Sequence, residues 1–370
     1  MNGGTGMGSL KAVVAVGLCL LPTLGRAEST HVMGASIELP FEYTLVGTQE
    51  SSSSGMLFSA TQWKRIEATG KDGKKHQLQL VASYSASERL SNTAMEDIAE
   101  KASVEQAAKP GVRSSTSLEV DGFPFHFIEG PADNKRYPQR MSMSGVINGA
   151  LYQFSILADD RSLLTDELAK RIKAIGIDYA QLLKLRPAFE EESKAAVVDG
   201  VLDTPLNRIR LDASTRARLS SSVLMTDATG TPLFRVRGFG LFKAGFWTMQ
   251  SLALFVGCGS EEAYSRVNEG SFLAMDDGNP EDEEHYVAVS APEGAILAGL
   301  PAQTTTARGS KAIGLRRTSI RRWQAKKDGT LFQAGLVRLN GSPIEKLIGT
   351  QLEAGPATCQ LGLNYGAGKG

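Results

Sequence analysis

The sequence predicts an α+β fold in two domains, each a curled antiparallel sheet packed with a few helices. Three observations support this fold class. Asn-Gly and Asp-Gly turns recur between runs in which polar and apolar residues alternate, as they do over 76–81, and such turns join antiparallel strands. Helix-like periodicity is confined to a few short segments. The 370 residues also suffice for two domains of ordinary size.

The N-terminus has the pattern of a secretory signal peptide. Lys11 precedes an unbroken small and apolar run from Ala12 to Leu21, and Ala27 supplies a small residue for cleavage. The run is about half as long as the roughly twenty residues that a membrane-spanning helix needs. We therefore expect removal of residues 1–27, no transmembrane segment after cleavage, and a periplasmic location.

Composition limits the classes of function. The 40 basic and 40 acidic residues balance, and removal of the signal peptide takes away two basic ones. Phosphate binding requires a basic surplus, so we expect no nucleic-acid partner. The hydrophobic content of 42% is that of a globular protein with real cores. The sequence contains no cofactor motif, and we expect no cofactor.

The predicted hairpins and helices follow from turn and cap signals. Four glycine turns separate strand-like runs: Asp72-Gly73, Asp121-Gly122, Asn148-Gly149 and Asp328-Gly329. Helices are expected over 91–108, 165–175, 260–267 and 343–352. In the first helix, Thr93 and Glu96 have the spacing of a capping box, and Pro110-Gly111 ends it.

The spacing of these elements predicts an internal duplication. The strand start at Ile37 precedes the helix start at Ser91 by the same interval that separates Leu206 from Ser260. Each half then returns to strands and closes with a hairpin strand and a helix. We expect a duplicated α+β unit.

The domain boundaries follow from a break in periodicity. Proline and clustered glutamates within 186–204 indicate a solvated linker. We therefore expect an N-terminal domain over 28–185, the linker over 186–204, and a C-terminal domain over 205–370.

Three short motifs resemble the PsbP/MOG1-like fold. They are Leu39-Pro40-Phe41, the run Val120-Asp121-Gly122-Phe123-Pro124, and Leu151-Tyr152-Gln153-Phe154 before the last helix of the first half. The resemblance covers about residues 36–178 and, loosely, 205–365. It implies binding of other proteins or assistance to complexes, and some periplasmic immunity proteins against secreted toxins look similar.

Two cysteines remain after signal cleavage, Cys258 and Cys359. In an oxidising compartment such a pair is more often a disulfide than a metal site, and we expect this bridge. The alternative is that Cys258, at the start of a helix, acts as a thiolate nucleophile with His285 as its base. We expect no metal site, because the histidines are scattered and the acidic run 276–284 is typical of a solvated loop.

The best surface candidate is a basic segment near the C-terminus. On a strand, Arg317 and Arg321 share one face with Trp323, whereas Arg316 and Arg322 share the other. Arginine and tryptophan are favoured at protein interfaces, and arginine binds anionic groups in a bidentate way. These five residues are the predicted binding site for an acidic partner. The alternative is a charged edge strand protected against aggregation.

The sequence thus predicts a periplasmic protein that binds another protein without catalysis, with no catalytic residue assigned. An immunity or inhibitor protein against a secreted toxin is the specific form that the resemblance implies. Two alternatives stay open. One is a cell-envelope hydrolase with an unrecognised active site, and the other is a carrier whose aromatic segment 234–247 lines a pocket for a lipid or small apolar ligand.

Overall fold

The fold is mostly antiparallel sheet with few helices. A computed structural model describes residues 29–55, 57–70, 73–87, 90–243, 252–264, 286–313, 316–339 and 344–362. The predicted signal peptide, the acidic run 276–284 and His285 lie outside these residues. Within them, no helix has the length and apolar character needed to cross a membrane.

The described residues form one antiparallel sheet of 15 strands. The strands from the first half are β3 (Tyr43–Ser54), β4 (Phe58–Thr69), β5 (Lys75–Ala86), β6 (Ser114–Val120), β7 (Phe123–Pro131), β8 (Gln139–Ile147) and β9 (Ala150–Ala158). Those from the second half are β14 (Thr215–Asp227), β15 (Pro232–Lys243), β16 (Leu252–Ser260), β17 (Tyr286–Val289), β18 (Glu293–Leu297), β19 (Leu300–Ile313), β20 (Arg316–Lys327) and β21 (Thr330–Leu339).

The two halves of this sheet have the same strand order. The order is β17-β19-β20-β21-β16-β15-β14-β3-β4-β5-β9-β8-β7-β6, and β18 also pairs with β19. Counted outward from the pairing of β3 with β14, the first half runs β3, β4, β5, β9, β8, β7, β6. The second half runs β14, β15, β16, β21, β20, β19, β17. The halves meet where β14 pairs with β3, from Ser221 beside Ser53 to Asp227 beside Gly47. This repeated order agrees with the predicted duplication.

Two small antiparallel sheets accompany the large one. The first contains β1 (Ser29–Val32), β2 (Ala35–Glu38) and β10 (Gly176–Ile177). The second contains β11 (Val197–Val198), β12 (Val201–Asp203) and β13 (Arg208–Arg210). Both contribute buried residues to the main core, among them Ile37 and Leu202.

The helices lie on both faces of the large sheet. They are α1 (Asn92–Ala107), α2 (Asp166–Lys173), α3 (Tyr179–Ala196), α4 (Glu261–Tyr264) and α5 (Ile344–Glu353). Helices α2, α3 and α5 contribute buried residues to the main core, and we call the sheet face that they cover the inner face. Helix α1 packs on β7, β8 and β9 from the opposite, outer face, and α4 covers a smaller apolar cluster there.

One hydrophobic cluster runs through both halves of the chain. It joins Leu80 and Phe154 of the first half to Phe239, Leu254 and Leu336 of the second, all 0% exposed. A large sheet with two smaller ones and a shared core therefore describes this part of the chain. The division into two domains stays a prediction.

The segment 186–204 is not the solvated linker that we expected. It contains the C-terminal part of α3 and the strands β11 and β12, and Phe189 is 5% exposed. The helix continues through Pro187, which cannot donate to the carbonyl of Leu183. Leu183 lies on the solvent side, at 62% exposed, so water can serve that carbonyl. Pro187 was therefore a misleading sign of a linker, because the free-energy cost of a missing helix hydrogen bond depends on whether the unpaired carbonyl is buried.

The cap of α1 also differs from the prediction. Ser91, not Thr93, is the N-cap, and its Oγ accepts a hydrogen bond from the N–H of Ala94 at 3.2 Å. Ser91 has the extended backbone that a cap requires, whereas Thr93 already lies within the helix.

Candidate functional site

The predicted basic binding site is only partly a surface. Its five residues lie on β20, but Trp323 is 1% exposed and belongs to the main core. The guanidinium of Arg321 lies 4.8 Å from the centre of the Trp323 ring, and its Nε donates to Thr304 Oγ1 at 3.4 Å. Strand alternation placed Arg321 and Trp323 on one face correctly, yet that face is the inner one. Trp323 is therefore removed from the predicted binding surface.

The arginines of this segment stay a prediction. Arg322 alternates onto the outer face and is half-buried. The backbones of Arg316 and Arg317 belong to β20, paired with Ile313 and Ala312 of β19. Their side chains lie outside what the structure describes.

Cys258 and Cys359, the pair expected from the sequence, form a disulfide with a Cα–Cα distance of 5.7 Å. A bridged Cys258 carries no thiolate and cannot act as a nucleophile. The segment around Cys359 is also held by hydrogen bonds to the chain near β12, from Gln360 N to Pro205 O at 2.9 Å and from Thr358 Oγ1 to Leu206 O at 2.8 Å.

The aromatic segment considered for a ligand pocket is packed where the structure describes it. Phe234 and Phe239 are both 0% exposed, and they lie in apolar clusters on opposite faces of the sheet. Phe246 and Trp247 lie outside the described residues.

Within the described part of the chain, no group of three or more His, Cys, Asp or Glu side chains is placed to hold a metal ion.

A buried charge cluster lies between α3 and the inner face of β15. Glu192 Oε1 accepts hydrogen bonds from Arg235 Nη2 at 2.5 Å, Arg237 Nε at 3.3 Å and Ser222 Oγ at 3.0 Å. Arg237 Nη1 also donates to Asp203 Oδ2 at 3.0 Å. Two guanidinium groups thus meet two carboxylates, so the charges balance and the cluster has a structural role.

A cleft on the outer face is a candidate site. It has a volume of about 390 Å³ and lies between α1 and the strands β6, β7 and β8. The helix lines it with Glu96, Ala99, Glu100, Ser103 and Val104, and the sheet with Ser117, Pro124, Phe125, His126, Ser144, Gly145 and Val146. Because successive strand residues alternate between faces, Ser117, His126 and Ser144 share the outer face.

Beneath the cleft, Gly145 occupies an inner-face position of β8, as Phe125 does on β7. Gly145 pairs with Phe125 across β8 and β7. A Cβ on Gly145 would lie 2.5 Å from the carbonyl oxygen of Pro124 and 2.7 Å from Cγ of the Phe125 ring. These contacts are shorter than van der Waals packing permits, so the close approach of the two strands requires glycine here.

The helix wall of the cleft is acidic and exposed to solvent. Glu96 and Glu100 are four residues apart and therefore lie on one side of α1. Neither carboxylate has an ion-pair partner among the described residues. Val104 continues this side and is 61% exposed, whereas Met95, at 1% exposed, anchors the helix.

The sheet wall holds a serine and a histidine in contact. Ser115 Oγ and His126 Nε2 lie 2.7 Å apart across β6 and β7. In the sequence, His126 alternates with Phe125 and Phe127, which predicts that it lies on the polar face of its strand, and the structure agrees. Alternation alone does not reveal the contact with Ser115, because Ser115 pairs with Ile128 and meets His126 only diagonally.

The cleft opens beside an edge of the large sheet. Strand β6 pairs with β7 and ends the described strand order, so its other edge has no strand partner among the described residues. Its seven residues include neither proline nor lysine, and Glu119 is its one charged residue. Ser115, Thr116 and Ser117 are exposed. Edge strands are usually protected by such residues, and β6 has little of that protection.

No protein-family model matches the chain, and a search of curated proteins finds no match. Among solved structures, it is similar to the immunity protein TplEi of the T6SS from Pseudomonas aeruginosa, with 10% identity over 90% of this chain and 97% of that chain and a TM-score of 0.25. It is also similar to MucB in complex with MucA(peri), with 10% identity over 85% of this chain and 92% of that chain and a TM-score of 0.18.

Proposed function

We propose that this chain is a non-catalytic, periplasmic protein-binding protein that receives an extended segment of its partner along β6. The signal-peptide pattern supports the location. The observation that carries the binding role is the outer edge of β6 beside the cleft, which has no strand partner among the described residues. The specific form implied by the sequence resemblance is an immunity or inhibitor protein that neutralises a secreted toxin or effector.

The edge offers both of the components that strand addition uses. Alternate residues of an edge strand direct their N–H and C=O groups away from the sheet, and an added strand satisfies them. Specificity then comes from pockets that receive alternate side chains of the added segment. The cleft begins at Ser117, which lies on β6 itself, and so provides such a pocket next to the edge.

Site-specific photo-crosslinking tests this role. A photoreactive amino acid at Thr116, on β6, should capture a discrete partner in intact periplasm. The matched control places it at Thr69, which is also exposed but ends the interior strand β4. Equal adducts at both positions, or none at Thr116, would contradict binding at the edge.

Two neighbouring proline substitutions provide a second test. Of Ser115→Pro and Thr116→Pro, one removes an N–H that points towards β7 and the other an N–H that points outward. The variant that removes the outward-pointing N–H should keep the wild-type melting temperature. It should lose the crosslinked adduct with the partner, which is measured here with the photoreactive amino acid at Ser117. Full capture by both variants would overturn the proposal.

The hydrolase alternative has one observation in its favour. Ser115 and His126 have the contact of a nucleophile and its base. No acidic side chain of the described residues hydrogen-bonds Nδ1 of His126, the position that normally orients the base. Assays on peptidoglycan and phospholipid distinguish the hydrolase from the binding protein. An activity that Ser115→Ala abolishes would establish the hydrolase. We expect the wild-type protein to hydrolyse neither substrate.

A further inference from the structure

From the cleft we infer the chemistry of the bound segment: it carries a lysine or arginine whose side chain enters the cleft towards Glu96 and Glu100. This inference rests on the proposed binding of a segment along β6. It identifies a basic, extended peptide as the partner class for this surface.

The geometry of strand addition brings a side chain to the cleft. An added strand would lie about 4.8 Å from β6, and its alternate side chains would point to the outer face. The residue opposite Ser117 would then have its Cβ about 4.5–5.5 Å from that of Ser117, which lines the cleft. A long side chain at this position can pass under α1.

The charge of the cleft selects a cation. Glu96 and Glu100 line it, and no lysine or arginine is among its lining residues. The whole of α1 contains Glu96, Asp97, Glu100 and Glu105 but a single basic residue, Lys101. Complementary potential gives specificity at interfaces, and an acidic segment would be repelled here.

The apolar lining selects a side chain rather than a free cation. Pro124, Val146 and the exposed Val104 border the same space. Lysine and arginine bury their methylene stems along apolar surface while the charged end reaches polar groups. A small inorganic cation would make no use of this lining.

The cleft also presents a polar acceptor to such a group. Ser103 lines it and is 8% exposed, and among the described residues its hydroxyl has no hydrogen-bond partner. Ammonium and guanidinium groups carry several donors, so they can bond this hydroxyl as well as a carboxylate.

Selection from a displayed library of random peptides about twelve residues long, a length that exceeds a typical strand, tests the inference. The mature, disulfide-intact protein is the bait. We expect selected peptides to carry a lysine or arginine within a β-prone stretch. Their affinity should fall about tenfold or more for Glu96→Gln/Glu100→Gln, because the complementary charge is removed.

The matched control is Asp97→Asn/Glu105→Gln, which removes the same charge from α1 but at exposed positions that do not line the cleft. It should bind like wild type. Raising NaCl from about 50 to about 500 mM should weaken binding to wild type more than to the Glu96→Gln/Glu100→Gln variant.

The outcomes separate the two proposals. Peptides that are blocked by the outward proline on β6 but lack basic residues would overturn this inference and leave the proposed function standing. Basic peptides that bind both glutamate variants equally would overturn it too. Peptides insensitive to the proline, or a library that yields none, would overturn the proposed function itself.

Discussion

Arg235 donates a hydrogen bond from Nη2 to Oε1 of Glu192 across 2.5 Å, which joins strand β15 to helix α3 inside the core. The two side chains are 2% and 12% exposed. Glu192 also contacts Arg237, which has Asp203 as its second carboxylate partner, so Glu192 is the one carboxylate that contacts both buried guanidinium groups. The segment expected to be a linker thus supplies the charge that the second half needs in its core.

We predict that Glu192→Leu lowers the free energy of unfolding by about 3–5 kcal/mol, because it leaves buried charge uncompensated. The control is Glu191→Leu, whose side chain is 68% exposed and pairs with an exposed Lys194. Such surface pairs contribute about 0–1 kcal/mol. Urea unfolding of both variants measures the difference, and similar losses for the two would contradict a special role of Glu192.

Reduction of the disulfide should destabilise the protein without abolishing its fold. Loss of a bridge typically costs about 2–5 kcal/mol, and here the shared core remains to support the structure. Non-reducing peptide mapping should recover a linked Cys258–Cys359 pair. The Cys258→Ser/Cys359→Ser variant should unfold identically with and without reductant. Quantitative labelling of both thiols under native, non-reducing conditions would refute the bridge.

Two glycines with the same backbone conformation should respond differently to alanine. Gly299 and Gly73 both have a φ of 76°. A Cβ on Gly299 would lie 2.5 Å from the carbonyl oxygen of Gly355, whereas one on Gly73 would meet nothing within 4 Å. Gly73→Ala should cost only the strain of the left-handed conformation, about 1–2 kcal/mol. Gly299→Ala should cost more, as thermal unfolding would show, and equal costs would contradict the close contact with Gly355.

The stability of the protein should fall at high pH, in part through Tyr179. Burial, with the negative charge of Asp121 and the hydrogen bond to it, raises the pKa of Tyr179 to about 12 from its ordinary 10.0. The folded chain therefore holds this proton to higher pH than the unfolded chain does. Its contribution is fully present below about pH 10 and is lost as pH rises through the folded pKa.

Urea unfolding at pH 9, 10.5 and 11.5, with wild type and Tyr179→Phe compared, checks this expectation. The variant should lose less stability over this range than wild type does. Burial also raises the pKa of Tyr152, so part of the decline should persist in the variant. Identical slopes for the two proteins would show that Tyr179 does not carry the effect.

The sequence was most informative where structure depends on neighbouring residues. Asn148-Gly149 and Asp328-Gly329 have positive φ at both positions, as the predicted tight turns require. Thr165 caps α2 with a hydrogen bond to the N–H of Leu168, within the predicted helix. Such signals act over two to four residues and can be read directly.

The local sequence did not determine which face of each strand is buried. Alternation placed Arg321 and Trp323 on one face of a strand, but whether that face met solvent or core depended on residues far away in sequence. The cleft exists because α1 lies on β7 and β8. The sequence of α1 is only weakly amphipathic, so it did not predict which side of the helix would face the sheet.

The sequence by itself therefore determined the local elements of this protein: its hairpin turns, its helix starts, and the strand alternation that put His126 on the polar face. Only the tertiary structure decided which faces are buried, that α3 runs through Pro187 into the core, and that Glu192 meets Arg235 and Arg237 there. The physical reason is that turns and caps are short-range hydrogen-bond and steric choices. Burial and charge pairing are set by long-range contacts between segments that the chain brings together only when it folds.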